Sequence, residues 1–401
     1  MGELTLKQAQ ELLLAKTETV RDTEEIPLWE GGGRTLAEDI FAGQDQPPFA
    51  RSPLDGYAVR SGDIAGASKE RPARLSVIDE VDAGQVSGMR VEKGTAIRIM
   101  TGAPVPEGAD CIVRQEDTDY GEEKVEVYRE VGAYENYCFA GEDYRAGTQV
   151  LERGTKLGAI ELGTLASLGR EKVRVFRRVR AAVLTTGDEL VLPGEERKPG
   201  KIYDANLYTM ATRLTALGAE VIRKGRTGDK PEEAAAWIRE AGEKADIIVT
   251  TGGVSVGKKD IMHEVLKLLD CERIFWKIAI KPGMPTLCAQ YGGKLLICLS
   301  GNPFGAAVNL ELLVRPVLAK MAGRKAPELL RLSAVSESEF PKRSGVTRYV
   351  RAFYEEGKVR IPEGSNASGI LSSMCGCNCL IEIPAGTAAL KKGDRVWIVL
   401  L

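Results

Sequence analysis

The segment that decides the fold class is Ile247–Gly257, which reads IIVTTGGVSVG. Its apolar run leads directly into a glycine-rich loop, and a helical stretch follows. The same succession begins at AAVL (residues 181–184) and at LLICL (residues 295–299). Uninterrupted apolar runs of this length, alternating with helices, are typical of parallel strands buried on both faces of a sheet. The centre of the chain is therefore predicted to be a doubly wound, mostly parallel α/β domain, with helices at Ala205–Leu217, Pro231–Glu243, Ile261–Leu269 and Gly305–Met321.

Both flanks of this centre carry a strand pattern. Short alternating runs separated by Gly and Pro fill residues 50–175 and predict a mostly β region. Alternation returns in TRYVRAF (residues 347–353), so the last stretch is predicted to be a small closing β domain. Near the start, Thr5 and Gln8 have the spacing of a capping box for a helix that ends near Lys16. The predicted fold class is α/β plus β, in several domains.

Composition limits the partners. The 401 residues, 43% of them hydrophobic, are enough for two to four domains. A net charge of -2 gives no overall attraction to nucleic acid or to an anionic membrane, and no run is long and apolar enough for a membrane span. Without a secretory pattern at the start, a soluble cytoplasmic protein is expected. A single His excludes zinc catalysis by a His cluster, and eight Cys do not suggest a disulfide framework.

Three loops follow predicted parallel strands, where anions bind in open α/β sheets. They are residues 185–189, 250–257 and 300–303. The glycines of the second loop permit close backbone approach to phosphate, and Ser255 and Lys258 add a hydroxyl and a positive charge. Its spacing fits neither a Walker A loop nor a dinucleotide fingerprint. A simple tight turn is the alternative interpretation.

Carboxylates near these loops have two interpretations. Asp260 and Asp229 each come just before a predicted helix, where capping is an alternative to function. Asp188 and Glu189 follow a buried strand with no helix to cap, which favours function. Oxygen ligands beside a phosphate loop suit magnesium, which takes one or two carboxylates and completes its shell with water and phosphate.

The remaining polar groups are more ambiguous. Lys277 and Lys281 flank a predicted strand, where lysines are usually solvated, although a tetrahedral oxyanion would use them as point charges. Arg348 and Arg351 have the odd spacing that puts them on opposite faces of a strand, so at most one should face a given site. The thiols of Cys375, Cys377 and Cys379 are interpreted as structural rather than metal-binding. The single His, His263, is expected at a surface or interface.

Seven short segments occur in order along the chain: RSPLDGYAV (residues 51–59), MTGAPVPEGAD (100–110), GED (141–143), TGDEL (186–190), GGVSVGKKD (252–260), KPG (281–283) and GNP (301–303). Together they resemble the motifs of the molybdopterin molybdotransferase family, which includes MoeA and the gephyrin E domain. The resemblance runs from about residue 5 to the C-terminus. It departs from the family at Ser300, where proline is usual before GNP, and at Pro53 and Leu54.

The resemblance implies an architecture and an assembly. Residues 1–45 with 140–176 would form an N-terminal mixed domain, 46–139 an inserted β domain, 177–325 the α/β molybdopterin-binding domain and 326–401 the C-terminal β domain. Family members are elongated homodimers with the site between the α/β domain of one subunit and the inserted domain of the other. The implied reaction delivers molybdate to adenylated molybdopterin, supported by Mg²⁺, and releases AMP and molybdenum cofactor. The adenylyltransferase of the pathway and acceptor molybdoenzymes are further expected partners.

The resemblance also assigns residues to roles. The expected catalytic residues are Asp55, Thr101, Asp143, Glu189, Asp229 and Asp260. The expected substrate-binding residues are Gly252, Gly253, Ser255, Gly257, Lys258, Lys277, Lys281, Pro282, Gly301, Asn302, Pro303, Arg348, Ser368 and Ser372, with Ser373 as a further hydroxyl. The expected metal ligands are Asp188, Glu189 and Asp229.

Other functions stay open at this point. A molybdopterin adenylyltransferase or a nucleotide-amide hydrolase uses the same α/β module, but without the flanking β domains. A non-catalytic scaffold is a second alternative, although the acidic residues at the motif positions are all present. A paralogue that inserts tungstate is a third, because tungstate and molybdate are tetrahedral dianions of nearly equal size.

Overall fold

The computed structural model describes residues 3–255, 260–325, 329–364 and 366–401. Its α-helices are α1 (Leu6–Ala15), α2 (Ala159–Ser167), α3 (Ala205–Ala216), α4 (Pro231–Gly242), α5 (Met262–Leu268), α6 (Pro303–Asn309) and α7 (Arg315–Met321). Its strands are β1 (Thr23–Pro27), β2 (Ile40–Phe41), β3 (Gly56–Val59), β4 (Ala73–Val81), β5 (Thr95–Ile99), β6 (Cys111–Arg114), β7 (Lys124–Val127), β8 (Gln149–Leu151), β9 (Lys172–Phe176), β10 (Arg180–Thr186), β11 (Leu190–Val191), β12 (Ile202–Tyr203), β13 (Glu220–Thr227), β14 (Ile247–Thr251), β15 (Glu272–Trp276), β16 (Ile280–Lys281), β17 (Leu287–Tyr291), β18 (Lys294–Leu299), β19 (Arg331–Ser336), β20 (Thr347–Glu355), β21 (Lys358–Arg360), β22 (Cys379–Ile383) and β23 (Arg395–Leu400).

The central α/β sheet confirms the predicted fold class. Its strand order is β13-β10-β14-β18-β17-β15. The first four strands are parallel, β17 is antiparallel to β18, and the edge strand β15 is antiparallel to β17. Successive residues of β10 enter two different apolar clusters: Ala181 and Val183 one, Ala182 and Leu184 the other. A strand whose two faces are both buried needs apolar residues at every position, as the sequence pattern indicated.

Local signals fix several helices. Thr5 and Gln8 form both hydrogen bonds of the capping box at α1. The predicted central helices correspond to α3, α4, α5 and the span α6–α7, which a π-helical turn (Leu310–Val314) joins. Pro316, just after that turn, has no N–H to donate to an earlier carbonyl, which suits a change of hydrogen-bond register there.

Helix α2 differs from the prediction, because residues 50–175 carry mainly a strand pattern. Its sequence, AIELGTLAS, buries Leu165 fully and leaves Ile160 79% exposed. The apolar residues of this short helix do not form the single stripe that marks an amphipathic helix, so its periodic signal is weak.

The C-terminal strands form a closed barrel. The order β20-β21-β19-β23-β22 returns to β20 through a β20–β22 pairing, and β16 adds to β20 in parallel. Alternate residues such as Val350, Ala352 and Ile381 fill its interior. The predicted closing β domain is therefore confirmed, and closure removes the exposed strand edges that an open sheet would have.

The chain folds into two compact units. The larger contains the helices and strands of the α/β sheet and the barrel; the smaller comprises Glu38–Arg153 and Ala159–Lys172. Within the smaller unit, a five-stranded sheet has the order β6-β3-β5-β4-β7. Apolar clusters lie on both of its faces, with Tyr57 and Val59 in one and Ala58 in the other. The four domain boundaries implied by the resemblance stay a prediction. Among the described residues no helix is both long and apolar enough to cross a bilayer.

Candidate functional site

The three predicted loops meet at the carboxyl ends of β10, β14 and β18. They line a cleft of about 580 Å³, here called the strand-end cleft. The predicted site residues that line it are Glu189, Asp229, Gly252, Gly253, Ser255, Asp260, Gly301, Asn302 and Pro303. Sequence reasoning therefore located these nine residues together, which is the arrangement expected at the end of a doubly wound sheet.

The glycine loop is held close to the neighbouring strand. Gly252 has φ +96°, and a Cβ there would lie 2.4 Å from the Thr186 carbonyl oxygen. The Gly252 N–H donates to the Leu299 carbonyl, and the Gly253 carbonyl accepts from the N–H of Met262. Only glycine allows this approach of two backbones. Gly257 and Lys258 lie outside the described residues.

Asp260 belongs to the loop rather than to the helix after it. Helix α5 begins at Met262 and has no side-chain cap. Oδ1 of Asp260 accepts the Ser255 N–H at 2.7 Å, and Oδ2 is buried without a partner among the described atoms, at the wall of the cleft. The capping interpretation of Asp260 is therefore wrong, and a buried carboxylate oxygen without a partner is a candidate ligand group.

The capping interpretation of Asp229 is also wrong. The N-cap of α4 is Lys230, and the helix has no side-chain cap hydrogen bond. The Asp229 side chain lines the cleft, while its N–H donates to Oδ1 of Asp188 at 3.0 Å. Asp188 itself does not line the cleft; it holds the turn that carries Asp229.

The described residues contain no group of three or more His, Cys, Asp or Glu side chains arranged to hold a metal ion. The predicted metal ligands Asp188, Glu189 and Asp229 thus do not form a three-ligand site. Of these three, Glu189 and Asp229 line the strand-end cleft. A cation bound there would have to take part of its coordination shell from water or substrate.

A second cleft of about 470 Å³, here called the cationic cleft, adjoins the first and shares Pro285, Ser300 and Asn302 with it. Three positive side chains line it: Lys281, Lys342 and Arg348. The same cleft contains the predicted Pro282 and Ser368. The shared wall means that one elongated ligand could occupy both clefts.

Lys281 and Arg348 are direct neighbours across the β16–β20 pair. Burial lowers the pKa of Arg348, and its Nε is buried without a partner among the described atoms. Among the described residues this guanidinium has no carboxylate partner, and a partly buried guanidinium of this kind is a suitable donor for an oxyanion. Arg351 is fully buried and donates to the carbonyls of Ala367 and Ile370, which agrees with the prediction that only one of the two arginines faces the site.

Of the predicted substrate-binding residues that the structure describes, two line neither cleft. The Lys277 ammonium lies over the Trp276 ring, 4.3 Å from its centroid, and the backbone at Lys277 has φ +68°. Ser372 is exposed at the start of a 3₁₀ turn. The neighbouring Ser373 hydroxyl is buried. Local spacing could not predict these side-chain directions, which depend on packing.

In the smaller unit, the structure brings Asp55 and Thr101 together. Both the N–H and the hydroxyl of Thr101 donate to Oδ1 of Asp55, each at 2.7 Å. Both bonds lower the pKa of Asp55, and the bond from the hydroxyl has the larger effect. Asp143 is exposed in a separate turn, where its N–H donates to the Gln46 carbonyl.

Some residues of the clefts were missed by sequence reasoning. Asn206, at the first turn of α3, donates to the Gly301 carbonyl at 2.8 Å and to Thr251, and its Oδ1 is buried without a partner among the described atoms. Lys342 was missed because it lies in a loop without a motif. The sequence signal available for Asn206 was its position as the second residue of α3, two residues after the helix cap Asp204.

The ambiguous thiols and the histidine lie in different surroundings. Cys375 is exposed, Cys377 donates to the Ser373 carbonyl, and Cys379 is buried at the start of β22. All three are free thiols and form no metal-binding group within the described part of the chain. The His263 and Trp276 rings pack edge to face, with their centroids 4.6 Å apart.

Comparison with known proteins gives matches along almost the whole chain. Three family models match: "MoeA N-terminal region (domain I and II)" over residues 4–169, "Probable molybdopterin binding domain" over 182–320 and "MoeA C-terminal region (domain IV)" over 333–401. The chain is 36% identical over 402 residues to the molybdopterin molybdenumtransferase of Staphylococcus epidermidis (strain RP62A), covering 99% of this chain and 95% of that protein. It is 36% identical over 387 residues to the protein of the same name from Bacillus subtilis (strain 168), covering 95% and 90%. The crystal structure of the molybdopterin biosynthesis MoeA protein from Pyrococcus horikoshii OT3 matches with a TM-score of 0.88 and 33% identity, covering 100% of both chains.

Proposed function

The chain belongs to the MoeA family of molybdopterin molybdenumtransferases, and from that premise we propose that it transfers molybdate to adenylated molybdopterin and releases AMP. The observation that carries this proposal is the pair of adjoining clefts. One offers a glycine loop and carboxylates, the other three cations, and they share Ser300 and Asn302. The reaction joins an oxyanion to a substrate that carries phosphate groups. It therefore requires a phosphate-binding cleft and a cationic cleft side by side.

The strand-end cleft would bind the phosphates of the adenylated substrate. Close backbone approach at Gly252 and Gly253, and the N-terminus of the helical span that begins at Pro303, are features that favour an anion. The buried Asn206 Oδ1 offers an acceptor in the same cleft. Acceptors of this kind suit the N–H groups of a nucleobase or pterin.

The cationic cleft would hold molybdate. Lys281 and Arg348 supply point charge and planar donors, and Ser368 adds a hydroxyl. Lys342 lines the same cleft and would contribute a third charge. Lys277 is assigned no direct contact, because its ammonium lies over Trp276.

Magnesium fits the donor set of the strand-end cleft as a water-rich site. Glu189, Asp229 and Asp260 line this cleft, and Oδ2 of Asp260 has no partner among the described atoms. Mg²⁺ takes one or two carboxylates together with water and phosphate oxygens. When bound, the ion would neutralise charge on the phosphates. A carboxylate that holds no metal there, Glu189 or Asp260, would accept the proton of the water that cleaves the phosphoanhydride.

Asp55, Thr101 and Asp143 would complete the reaction site from a second copy of the chain. The resemblance to homodimeric family members is the basis of this step. The low pKa of Asp55 keeps it ionised at neutral pH, so it could only accept hydrogen bonds or bind a cation there.

The test is release of AMP from adenylated molybdopterin by the purified protein, with and without molybdate and Mg²⁺ and again with tungstate. We expect release to require both additions and to fall at least about a hundredfold in Glu189→Gln, since a catalytic carboxylate typically contributes that much. The exposed Glu196→Gln serves as the control. Unchanged release in Glu189→Gln would exclude that residue, and no release by the wild type under any condition would exclude the proposed reaction.

A further inference from the structure

The peptide group between Val254 and Ser255 is held at both ends by side chains. Its N–H, on Ser255, donates to Oδ1 of Asp260 at 2.7 Å. Its carbonyl, on Val254, accepts the indole N–H of Trp276 at 3.3 Å. The indole, the peptide and the carboxylate thus form one continuous chain of hydrogen bonds, in which each bond polarises the next.

Trp276 is fixed in place from three sides. It packs beside the apolar cluster that includes Val254 and Met262. The Lys277 ammonium covers the ring at 4.3 Å from its centroid, and the His263 ring meets it edge-on at 4.6 Å. An aromatic ring held by a cation and by a second ring has little freedom to turn its N–H away from the Val254 carbonyl.

We infer that Trp276 is a positioning residue for Asp260. By fixing the Val254–Ser255 peptide plane, the indole N–H sets the direction of the Ser255 N–H, which fixes one oxygen of Asp260 and leaves Oδ2 at the cleft wall. The inference rests on the proposed function only in assigning Asp260 to the reaction site. It also explains the place of Lys277, whose charge stabilises the ring that orients the loop.

The experiment replaces the indole donor and keeps an aromatic ring. In Trp276→Phe we expect faster hydrogen exchange at the Ser255 amide than in the wild type. We expect kcat for AMP release to fall about fivefold, which corresponds to the net free energy of one hydrogen bond, and KM to stay within about twofold of the wild-type value. Trp237→Phe is the matched control, because that tryptophan packs against the same apolar cluster from α4, under Arg223, while the described side-chain hydrogen bonds of the Val254–Ser255 peptide are to Trp276 and Asp260. Equal thermal unfolding of the two variants would separate positioning from general packing.

A double substitution tests the connection to Asp260. If Trp276 acts through Asp260, then adding Trp276→Phe to Asp260→Asn should lower kcat no further than Asp260→Asn alone. Multiplied losses, or Ser255 exchange as slow in Trp276→Phe as in Trp237→Phe, would overturn the inference. Faster exchange together with full activity of Asp260→Asn would instead refute the role of Asp260 in the proposed function, while the holding of the peptide by Trp276 would stand.

Discussion

At the scale of single residues, two hydrogen-bond donors on one oxygen of Asp55, in the smaller unit, favour the ionised form of this carboxylate. The hydroxyl and the N–H of Thr101 both point at Oδ1 of Asp55 and favour its ionised form. A carboxylate whose pKa is lower in the folded than in the unfolded protein stabilises the fold above its unfolded pKa. That stabilisation is lost as the pH falls through the folded pKa.

We expect Thr101→Val to raise the pKa of Asp55 towards the ordinary value of 3.8, because the hydroxyl is the largest of the groups that lower it. The variant should be less stable than the wild type at neutral pH, and the difference should vanish at a pH below both pKa values. NMR titration of the Asp55 carboxyl and unfolding at several pH values would measure this. For Thr95→Val, whose hydroxyl hydrogen-bonds to the backbone of Glu92, the difference in stability from the wild type should not depend on pH. An Asp55 pKa that does not change would contradict the prediction.

The cations of the second cleft allow a substitution that separates two substrates. We expect Lys281→Ala to raise the molybdate concentration needed for half-maximal rate about tenfold, the equivalent of roughly 1.4 kcal/mol, since a charge that faces an anion is removed. Binding of the nucleotide part should change little. Rates as a function of molybdate concentration would be compared with those of Lys224→Ala, an exposed lysine on β13. A molybdate dependence like that of the control would remove Lys281 from the oxyanion site.

At the scale of elements, the glycine loop depends on one backbone conformation. Gly252→Ala should destabilise the loop by more than about 1 kcal/mol, the usual cost of a positive φ alone, because its Cβ would also meet the Thr186 carbonyl. Gly33→Ala is the matched control, because Gly33 also has a positive φ, +72°, but a Cβ added there has no described atom within 4 Å. Unfolding free energies and nucleotide affinity would be measured for both. Equal losses in the two variants would show that the close approach to Thr186 has no consequence.

The same loop shows how much the sequence could predict. The positions of the three strand-end loops follow from the local pattern, because parallel strands bring their carboxyl ends to one edge. The glycine content of residues 252–257 indicated a close approach, and the KPG segment pointed to Lys281. The strand-end cleft was therefore predictable for the most part, because the residues that line it follow strands whose pattern is unambiguous.

What could not be predicted depends on contacts between distant residues. Closure of the barrel through β20 and β22, and the addition of β16 to β20, join strands far apart in the chain. Side-chain direction was not predictable either, even where the partner is close in the chain: the Lys277 ammonium lies over the Trp276 ring, and Asp260 accepts the Ser255 N–H. Pattern and spacing determine which residues share an element but not which partner each side chain selects.

At the scale of the whole molecule, a shared reaction site would make inactive chains complement one another. If Asp55 of one subunit serves the Glu189 of the other, a mixed dimer of Asp55→Asn and Glu189→Gln chains contains one site with both residues intact. Random mixing should then recover about a quarter of the wild-type rate of AMP release, because half of the dimers are mixed and each has one working site. No recovery from proven mixed dimers would place both residues in the same chain's site.

The pairing of β16 with β20 has a consequence for the ligand-free protein. It fixes Lys281 and Arg348 opposite each other, and like charges in directly paired positions destabilise a sheet. A bound dianion would cancel that repulsion, so the melting temperature of the protein should rise as the concentration of molybdate or tungstate is increased. It should continue to rise at concentrations above those that saturate the rate of AMP release. The melting temperature would then measure how much oxyanion is bound in the cationic cleft between β16 and β20, without any turnover of substrate.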